Sequence, residues 1–362
     1  MKESKKSRNS IQIMFTNCLE PSGVNPEYFK LRFGSCINTK ESASLSGSGL
    51  DMALIGSDAS IDRVREELFN LSDQLNNCKL IDFGNLKSGA SASEVESLFN
   101  ELLLKNFIPV FVSSKDEHIS LQLNAVSGAQ PFSTWMIVND SIFSESESQR
   151  SLIQSIKDGL IVSKFIGYQS HLTSSGSLQL LHDLQIESMR LGHIRQNIDR
   201  IEPWCRSLDH AIFQLNAIRK TDFPCKNSTN PGGLFYEEAC KISQFLGASS
   251  HLQSFGIYGY EAASDQNKAG AAVIAQLIWY FIDGLMHFRE DKSIQKSKLI
   301  QYTVHASHSD LDINFWKSNE SGRWWMEVPG QTDHWVSCTY DDYLEASHGE
   351  FSARLINVLN RG

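Results

Sequence analysis

Apolar runs alternate with segments of helical periodicity along the central part of the chain. Strands buried on both faces of a parallel sheet are typically continuous apolar runs, and such runs occur at residues 52–56, 108–112, 134–138 and 211–215. Between them, apolar residues recur at helical spacing, most clearly at residues 61–72, 93–106 and 235–247. This alternation predicts an α/β fold with a mainly parallel, doubly wound sheet, whose functional site lies at the carboxyl ends of the strands.

The pattern changes at both ends of the chain and divides it into three predicted parts. Residues 1–50 contain Ser-, Gly- and Lys-rich stretches and are predicted to be irregular, whereas residues 51–288 carry the α/β pattern. Residues 289–362 form a C-terminal extension with a few short apolar segments. We expect this extension to pack against the main domain, because it is too short to bury a sizeable core alone.

Charge and cysteine content narrow the class of protein. The 362 residues carry a net charge of −9, so the chain has no basic field for nucleic acid. Its seven cysteines are an odd, scattered set without a Cys-x-x-Cys pair, which favours reduced thiols in the cytoplasm. The N-terminus shows no signal-peptide pattern, and no apolar run of about 20 residues suggests a membrane span. We therefore expect a cytoplasmic protein that binds neither nucleic acid nor membrane.

Common catalytic motifs are missing from the sequence. It contains no Gly-x-Ser-x-Gly elbow, no P-loop and no Gly-x-Gly-x-x-Gly fingerprint. Cys225 has no neighbouring histidine or charge pair that would activate a thiol, and we interpret it as inert. A group of two histidines and two aspartates is interpreted as a polar loop rather than a metal site: His305, His308, Asp310 and Asp312.

The most informative segment runs from residue 213 to residue 238. It contains Phe-Gln-Leu-Asn-Ala-Ile-Arg, a loop and then Asn-Pro-Gly-Gly-Leu-Phe-Tyr-Glu-Glu, which reads as a buried strand end followed by a loop and a helix start. Further blocks follow a consistent order over roughly residues 50 to 345, including 82–85, 166–169, 189–192 and 323–329. Together they resemble the arginase/agmatinase/formimidoylglutamase (ureohydrolase) family, most closely its Bacteroidetes-type formimidoylglutamase-like branch. The resemblance implies a three-layer α/β/α arginase-like fold.

The resemblance also implies a particular chemistry. In that family two Mn²⁺ ions share a hydroxide that attacks a guanidinium or formimino carbon, and the metal ligands come from three strand ends. At the first strand end, the position of a family histidine corresponds to Asp116 here. At the second, the Asp-Ala-His-x-Asp pattern corresponds to Asn139, Ser141 and Phe143. Neutral and aromatic residues thus replace anions and imidazole.

At the third strand end and at the substrate anchor, the charged residues of the family also correspond to uncharged residues in this chain. The family's Asp-x-Asp corresponds to Gln214 and Asn216, and its substrate-holding glutamate corresponds to Gly259. Neutral amides are poor substitutes for bridging carboxylates around two dications. We therefore expect a protein that has lost its dinuclear manganese site, holds no cofactor, and acts in binding or as a scaffold without catalysis.

Two alternatives stay open at this point. The first is an active C–N hydrolase of the formimidoylglutamase kind, which would hold manganese in a remodelled site around Asp116 and Asp140. The second is a small-molecule sensor whose pocket is now neutral and prefers uncharged or anionic ligands to guanidinium compounds.

The C-terminal extension carries one more candidate feature. Arginine and tryptophan are frequent anchors of protein interfaces, and they occur side by side at Arg323, Trp324 and Trp325. These residues predict either a contact with a protein partner or a second copy of the chain, or packing onto the main domain.

Overall fold

The structure is a computed structural model. It describes residues 37–39, 51–72, 74–75, 80–127, 132–142, 147–226, 228–287, 296–306, 311–328, 334–350, 354 and 356. Three candidate residues of the sequence analysis lie outside these ranges, namely Phe143, His308 and Asp310. Most of the N-terminal segment 1–50 also lies outside the described residues.

A nine-stranded sheet forms the centre of the protein, with strand order β1-β3-β2-β4-β9-β8-β5-β6-β7. All pairings between these strands are parallel, which confirms the predicted parallel, doubly wound sheet. The strands are β1 Ile37–Thr39, β2 Asp51–Gly56, β3 Leu80–Asn85, β4 Phe107–Ser113, β5 Ser133–Val138, β6 Ile161–Tyr168, β7 Glu187–Arg190, β8 His210–Gln214 and β9 Ser254–Tyr258.

Helices cover both faces of the sheet. They are α1 Asp62–Phe69, α2 Ala92–Leu104, α3 His118–Ser127, α4 Glu147–Lys157, α5 Ser175–Asp183, α6 Leu191–Gln196, α7 Glu202–Cys205, α8 Tyr236–Gly247 and α9 Ala269–His287. Apolar residues of α1, α8 and α9 form one buried cluster with alternate strand residues, and α2 to α5 form a second cluster with the others. The result is the predicted three-layer α/β/α arrangement.

Helix α9 corrects one expectation from the sequence. Its 19 residues are long and apolar enough to cross a membrane by length and composition, although no such run was expected. However, 67% of its apolar window is buried inside the protein. Since α9 packs between α8 and α1, its apolar character is explained by its position in the core.

The C-terminal extension contains a second sheet. Four antiparallel strands, in the order β10-β11-β12-β13, are followed by a short helix: β10 Leu299–Ala306, β11 Leu311–Ser318, β12 Trp324–Glu327, β13 Trp335–Cys338 and α10 Tyr340–Ser347. Ile313, Phe315 and Met326 are fully buried in a small cluster of this unit. Isolated apolar segments at the sequence level are therefore strands of one small sheet.

Arg323, Trp324 and Trp325 are all buried within the chain. Arg323 Nε lies 2.9 Å from Glu202 Oε1, and Arg206 donates a 2.7 Å hydrogen bond to the carbonyl of Trp324. The guanidinium of Arg206 also lies 4.8 Å from the ring centre of Trp325. These contacts attach the extension to the main domain, and a role of the three residues in binding a partner stays a prediction.

Candidate functional site at the carboxyl edge of the sheet

The strand order brings the predicted site positions to one edge of the sheet. Strands β4, β9, β8 and β5 are consecutive neighbours, so their carboxyl ends lie side by side. Gln214 is the last residue of β8 and is paired with Tyr258, the last residue of β9. Asn139 directly follows β5 and Gly259 directly follows β9. Apart from Phe143, the predicted positions therefore gather where the sequence analysis expected them.

Asp116 and Gly259 fit closely together. Gly259 has a φ of +92°, and a Cβ atom added there would lie 3.2 Å from Oδ1 of Asp116. The carboxylate thus rests above the bare backbone of the glycine, at the position that corresponds to the substrate-holding glutamate of the family. A larger residue at position 259 would be strained by its φ and would crowd Asp116.

The surroundings of Asp116 are acidic. Burial raises the pKa of its carboxyl group, and the charges of Glu117, Asp140 and Glu261 raise it further. The side chain of Gln214 faces this carboxyl group and acts in the opposite direction, because it favours the ionised form. Asp116 therefore lies in a negative local field with an uncharged amide as its neighbour.

The polar side chains at the end of β5 already form hydrogen bonds within the protein. Oδ1 of Asn139 accepts a 2.9 Å hydrogen bond from the backbone N–H of Asp140. Burial raises the pKa of Asp140, while Asn230, Lys226 and Ser141 favour its ionised form. Asn230 Nδ2 lies 3.4 Å from Asp140 Oδ2 and donates to it. The amide oxygen of Asn139 thus already accepts a hydrogen bond within its own loop.

Lys226 is a buried cation that the sequence analysis missed. Only 2% of the residue is exposed, and its Nζ donates hydrogen bonds to the carbonyl oxygens of Asn216, at 3.1 Å, and Ile218, at 2.6 Å. A longer contact of 3.4 Å reaches the carbonyl of Gly232. Burial lowers the pKa of Lys226, whereas the charge of Asp140 raises it. A lysine in a loop is ordinarily exposed, so the sequence offered no signal for this role.

Several buried polar atoms at this edge have no hydrogen-bond partner among the described residues. They are Oδ1 of Asp116, Oε1 of Gln214, Oδ1 of Asn216 and Nε2 of Gln169. Gln214 is only 5% exposed and Gln169 only 9%. Gln169 follows β6, and its Oε1 lies 2.7 Å from where a Cβ on Gly232 would be, so the glycine makes room for it. Gln169 belongs to the block 166–169 that carries the family resemblance, but the sequence predicts no role for its side chain.

This donor set does not fit two manganese ions. In the part of the chain that the structure describes, no three His, Cys, Asp or Glu residues are grouped as metal ligands. Gln214 and Asn216 are uncharged, and the oxygen of Asn139 is used within its loop. The buried ammonium of Lys226 adds positive charge near Asp140. Paired dications need several anionic oxygens, which these strand ends do not supply.

The other candidates of the sequence analysis do not extend the site, and neither does the nearby His118. Cys225 is fully buried, and burial together with the neighbouring Asp265 raises its pKa to about 12. His118 Nδ1 lies 2.9 Å from the hydroxyl of Ser113 in a local hydrogen bond. His305 and Asp312 form an exposed pair at 2.9 Å between neighbouring strands. The thiol is thus held protonated, which agrees with its interpretation as inert.

No family model and no curated protein matches the sequence. Solved structures do match it. The formimidoylglutamase of Bacillus subtilis subsp. subtilis str. 168 superposes with a TM-score of 0.62 at 12% identity, over 79% of this chain and 98% of its own. A Mn²⁺-containing formiminoglutamase of Trypanosoma cruzi gives 0.61 at 14% identity, over 70% and 97%.

An arginase from Bacillus subtilis gives a TM-score of 0.52 at 13% identity, and the match covers 64% of this chain and 98% of the arginase. At identities this low, the structural similarity establishes the fold alone. The chemistry has to be inferred from the residues of this chain. The comparison agrees with the strand order and the layers described above. The chain therefore has the three-layer fold shared by formimidoylglutamases and arginases, as its sequence resemblance predicted.

Proposed function

We propose that this protein is a non-catalytic member of the ureohydrolase group, located in the cytoplasm, that works by binding a ligand or as a scaffold. The observation that supports this most directly is the composition of the three strand ends. Asp116 is the one carboxylate among their described equivalent positions, next to the amides of Asn139, Gln214 and Asn216. The scaffold of a dinuclear hydrolase is kept, while the charge that such a centre needs is replaced by neutral side chains.

A dinuclear metal centre requires charge compensation by its ligands. Two Mn²⁺ ions bring four positive charges, and removing them from water is costly unless anionic ligands surround them. At this edge one carboxylate, Asp116, faces an amide, and a second, Asp140, is already engaged by Asn230 and Lys226. The second charge is thus partly neutralised by the protein itself. Two Mn²⁺ ions would have too few anionic ligands here to be held in place.

Metal content and hydrolysis test this proposal together. We would purify the full chain with excess Mn²⁺, remove free metal on a desalting column, and measure manganese by elemental analysis. The same preparation would be assayed for urea or formamide release from arginine, agmatine and formiminoglutamate. The proposal expects manganese far below one ion per chain and no release above a no-protein control. Chelator-sensitive hydrolysis would contradict it.

A second candidate is a C–N hydrolase with a remodelled site around Asp116 and Asp140. It is favoured by one observation: the two carboxyl groups are close enough that the charge of Asp140 raises the pKa of Asp116. This candidate predicts that Asp116→Asn removes both bound manganese and hydrolysis while the far-ultraviolet circular dichroism stays unchanged. Glu117→Gln, at the exposed neighbouring position, serves as the control and would keep both.

A further inference from the structure

Unpartnered acceptors at the carboxyl edge indicate what kind of ligand could be held there. Oε1 of Gln214 is buried and has no partner among the described residues, and the side chain, 5% exposed, faces Asp116. In the part of the chain that the structure describes, Oδ1 of Asp116 also lacks a partner, and it lies close to Gly259. Buried acceptors without a donor are costly, so a ligand that brings N–H donors would be stabilised at this place.

Asn216 adds a third acceptor close by. It lies in the turn Leu215–Ala217, directly after β8. Its backbone carbonyl accepts a hydrogen bond from Lys226, but its side-chain Oδ1 has no partner among the described residues. The end of β8 therefore presents two amide oxygens that accept hydrogen bonds and no charge of its own.

The electrostatic surroundings favour a positive ligand over a negative one. Three acidic residues act on Asp116 from nearby, namely Glu117, Asp140 and Glu261. Lys226 offsets part of this charge at Asp140, but its own donors are already bound to carbonyl groups. An anionic ligand would meet repulsion here, in contrast to the neutral-pocket sensor that the sequence alone left open. A single positive charge with several donors matches the field and the acceptors together.

We propose that Asp116 and Gln214, with Asn216 beside them, bind the primary ammonium group of one small organic amine. The ammonium group carries three N–H donors and one charge, and one carboxylate can compensate that charge, whereas it cannot compensate two dications. This inference rests on the proposed function, because a metal pair would take up the same strand ends. It specifies the ligand class of a site whose metal ligands have been replaced.

Three probe molecules separate charge from hydrogen bonding. The full-length, metal-free protein would be titrated calorimetrically with n-butylammonium chloride, with tetramethylammonium chloride and with n-butanol. Tetramethylammonium has the charge without N–H donors, and n-butanol has the chain length without the charge. We expect saturable one-to-one binding of n-butylammonium, with a dissociation constant on the order of 1 mM or tighter. The two controls should bind at least about tenfold more weakly.

Matched variants test the residues. Asp116→Asn and Gln214→Leu should each weaken n-butylammonium binding by about tenfold or more, since each removes an acceptor. Glu117→Gln removes a nearby charge without removing a proposed contact, and it should change the affinity by less than about threefold. Circular dichroism and a cooperative unfolding transition would establish that each variant is folded, and two independent variants guard against the failure of one.

Some results would contradict only the amine site, and others would contradict the non-catalytic role as well. Absence of saturable n-butylammonium binding to a manganese-free, inactive protein would overturn the amine site and leave the non-catalytic role standing. Equal binding of tetramethylammonium, or unchanged affinity in both acceptor variants, would overturn the amine site as well. Tight binding of two Mn²⁺ ions with chelator-sensitive hydrolysis would overturn both.

Discussion

Two buried polar clusters lie at carboxyl ends of strands in the same sheet, and they differ in how completely they are paired. At the end of β3, Arg65 is fully buried and its Nε lies 3.0 Å from both carboxylate oxygens of Asp82. Its remaining nitrogens donate to Asn85, at 2.5 Å, and to the carbonyl of Gly84, at 2.6 Å. Each of its three side-chain nitrogens has a partner.

The cluster around Asp116 and Gln214 contrasts with this pairing. Its acceptors are comparably buried, yet Oδ1 of Asp116 and Oε1 of Gln214 have no donor among the described residues. Buried polar atoms without a hydrogen-bond partner lower the stability of the folded state. They are therefore expected mainly where something outside the chain, such as a ligand, supplies the missing hydrogen bonds. We infer that the first cluster stabilises the fold and that the second binds the proposed ligand.

The largest expected effect comes from breaking the paired cluster. Arg65→Met leaves the carboxylate of Asp82 buried without its cation, and the free energy of unfolding should fall by about 3–5 kcal/mol. Urea unfolding followed by circular dichroism measures this loss. In the double variant Arg65→Met/Asp82→Leu the uncompensated charge is gone, so part of the stability should return. A loss below about 1 kcal/mol in the single variant would show that the pair does not have this role.

Lys226 should have a smaller but clear effect. Lys226→Met removes the donor of the carbonyl groups of Asn216 and Ile218, and it should lower the free energy of unfolding by about 1–3 kcal/mol. Lys241, on the exposed side of α8, provides the control, since Lys241→Met should change it by less than about 0.5 kcal/mol. Added Mn²⁺ should not restore the lost stability. Equal effects of the two substitutions would mean that the buried ammonium is not an anchor of this loop.

A substitution in the cluster around Asp116 and Gln214 should change the stability much less. Gln214→Leu introduces an apolar group of similar size in place of a buried amide, whose oxygen has no partner among the described residues. Its free energy of unfolding should therefore change by less than about 1 kcal/mol, in either direction. The variant separates the two roles because it should weaken amine binding by about tenfold or more while leaving stability nearly unchanged. A loss above about 2 kcal/mol would show that the contact of Gln214 with Asp116 stabilises the fold.

The smallest expected effect is a pH dependence. Burial raises the pKa of Asp116 above its usual 3.8, so the folded state keeps a proton that the unfolded chain has released. The stability from this proton is complete below pH 3.8 and is lost as the pH rises through the raised value. The stability of the wild type relative to Asp116→Asn should therefore fall between roughly pH 4 and roughly pH 7. Urea unfolding at both pH values measures it, and a rise would contradict the sign.

Much of the fold could be predicted from the sequence because local patterns and topology agree. Buried runs at β4, β5 and β8 marked the central strands, and a parallel sheet places their carboxyl ends together. Hence Asp116, Asn139 and Gln214, the positions that the family resemblance implies, could be assigned to one edge without coordinates. Helix α3 was not assigned, because its apolar residues are interspersed with polar ones such as Gln122, which the structure buries against Ser254.

The details of the site could not be predicted in the same way. Lys226 turns inward because the loop that carries it folds back on the turn after β8, where the carbonyl groups of Asn216 and Ile218 accept its hydrogen bonds. The periodicity of apolar residues does not predict such contacts. The position of Asp116 above Gly259 depends on two different strands and on a positive φ. The sheet of the extension depends on antiparallel pairing between short segments, each of which is ambiguous alone.

The central claim is that these strand ends do not hold paired dications, and electron paramagnetic resonance tests it most directly. Free Mn²⁺ gives a six-line signal in solution, and the signal weakens when the ion is bound by protein. Titration of the full chain with MnCl₂ should give a free-ion signal that rises linearly from the first addition, as in buffer. A signal suppressed until two equivalents have been added, and restored to linearity by Asp116→Asn, would contradict the account.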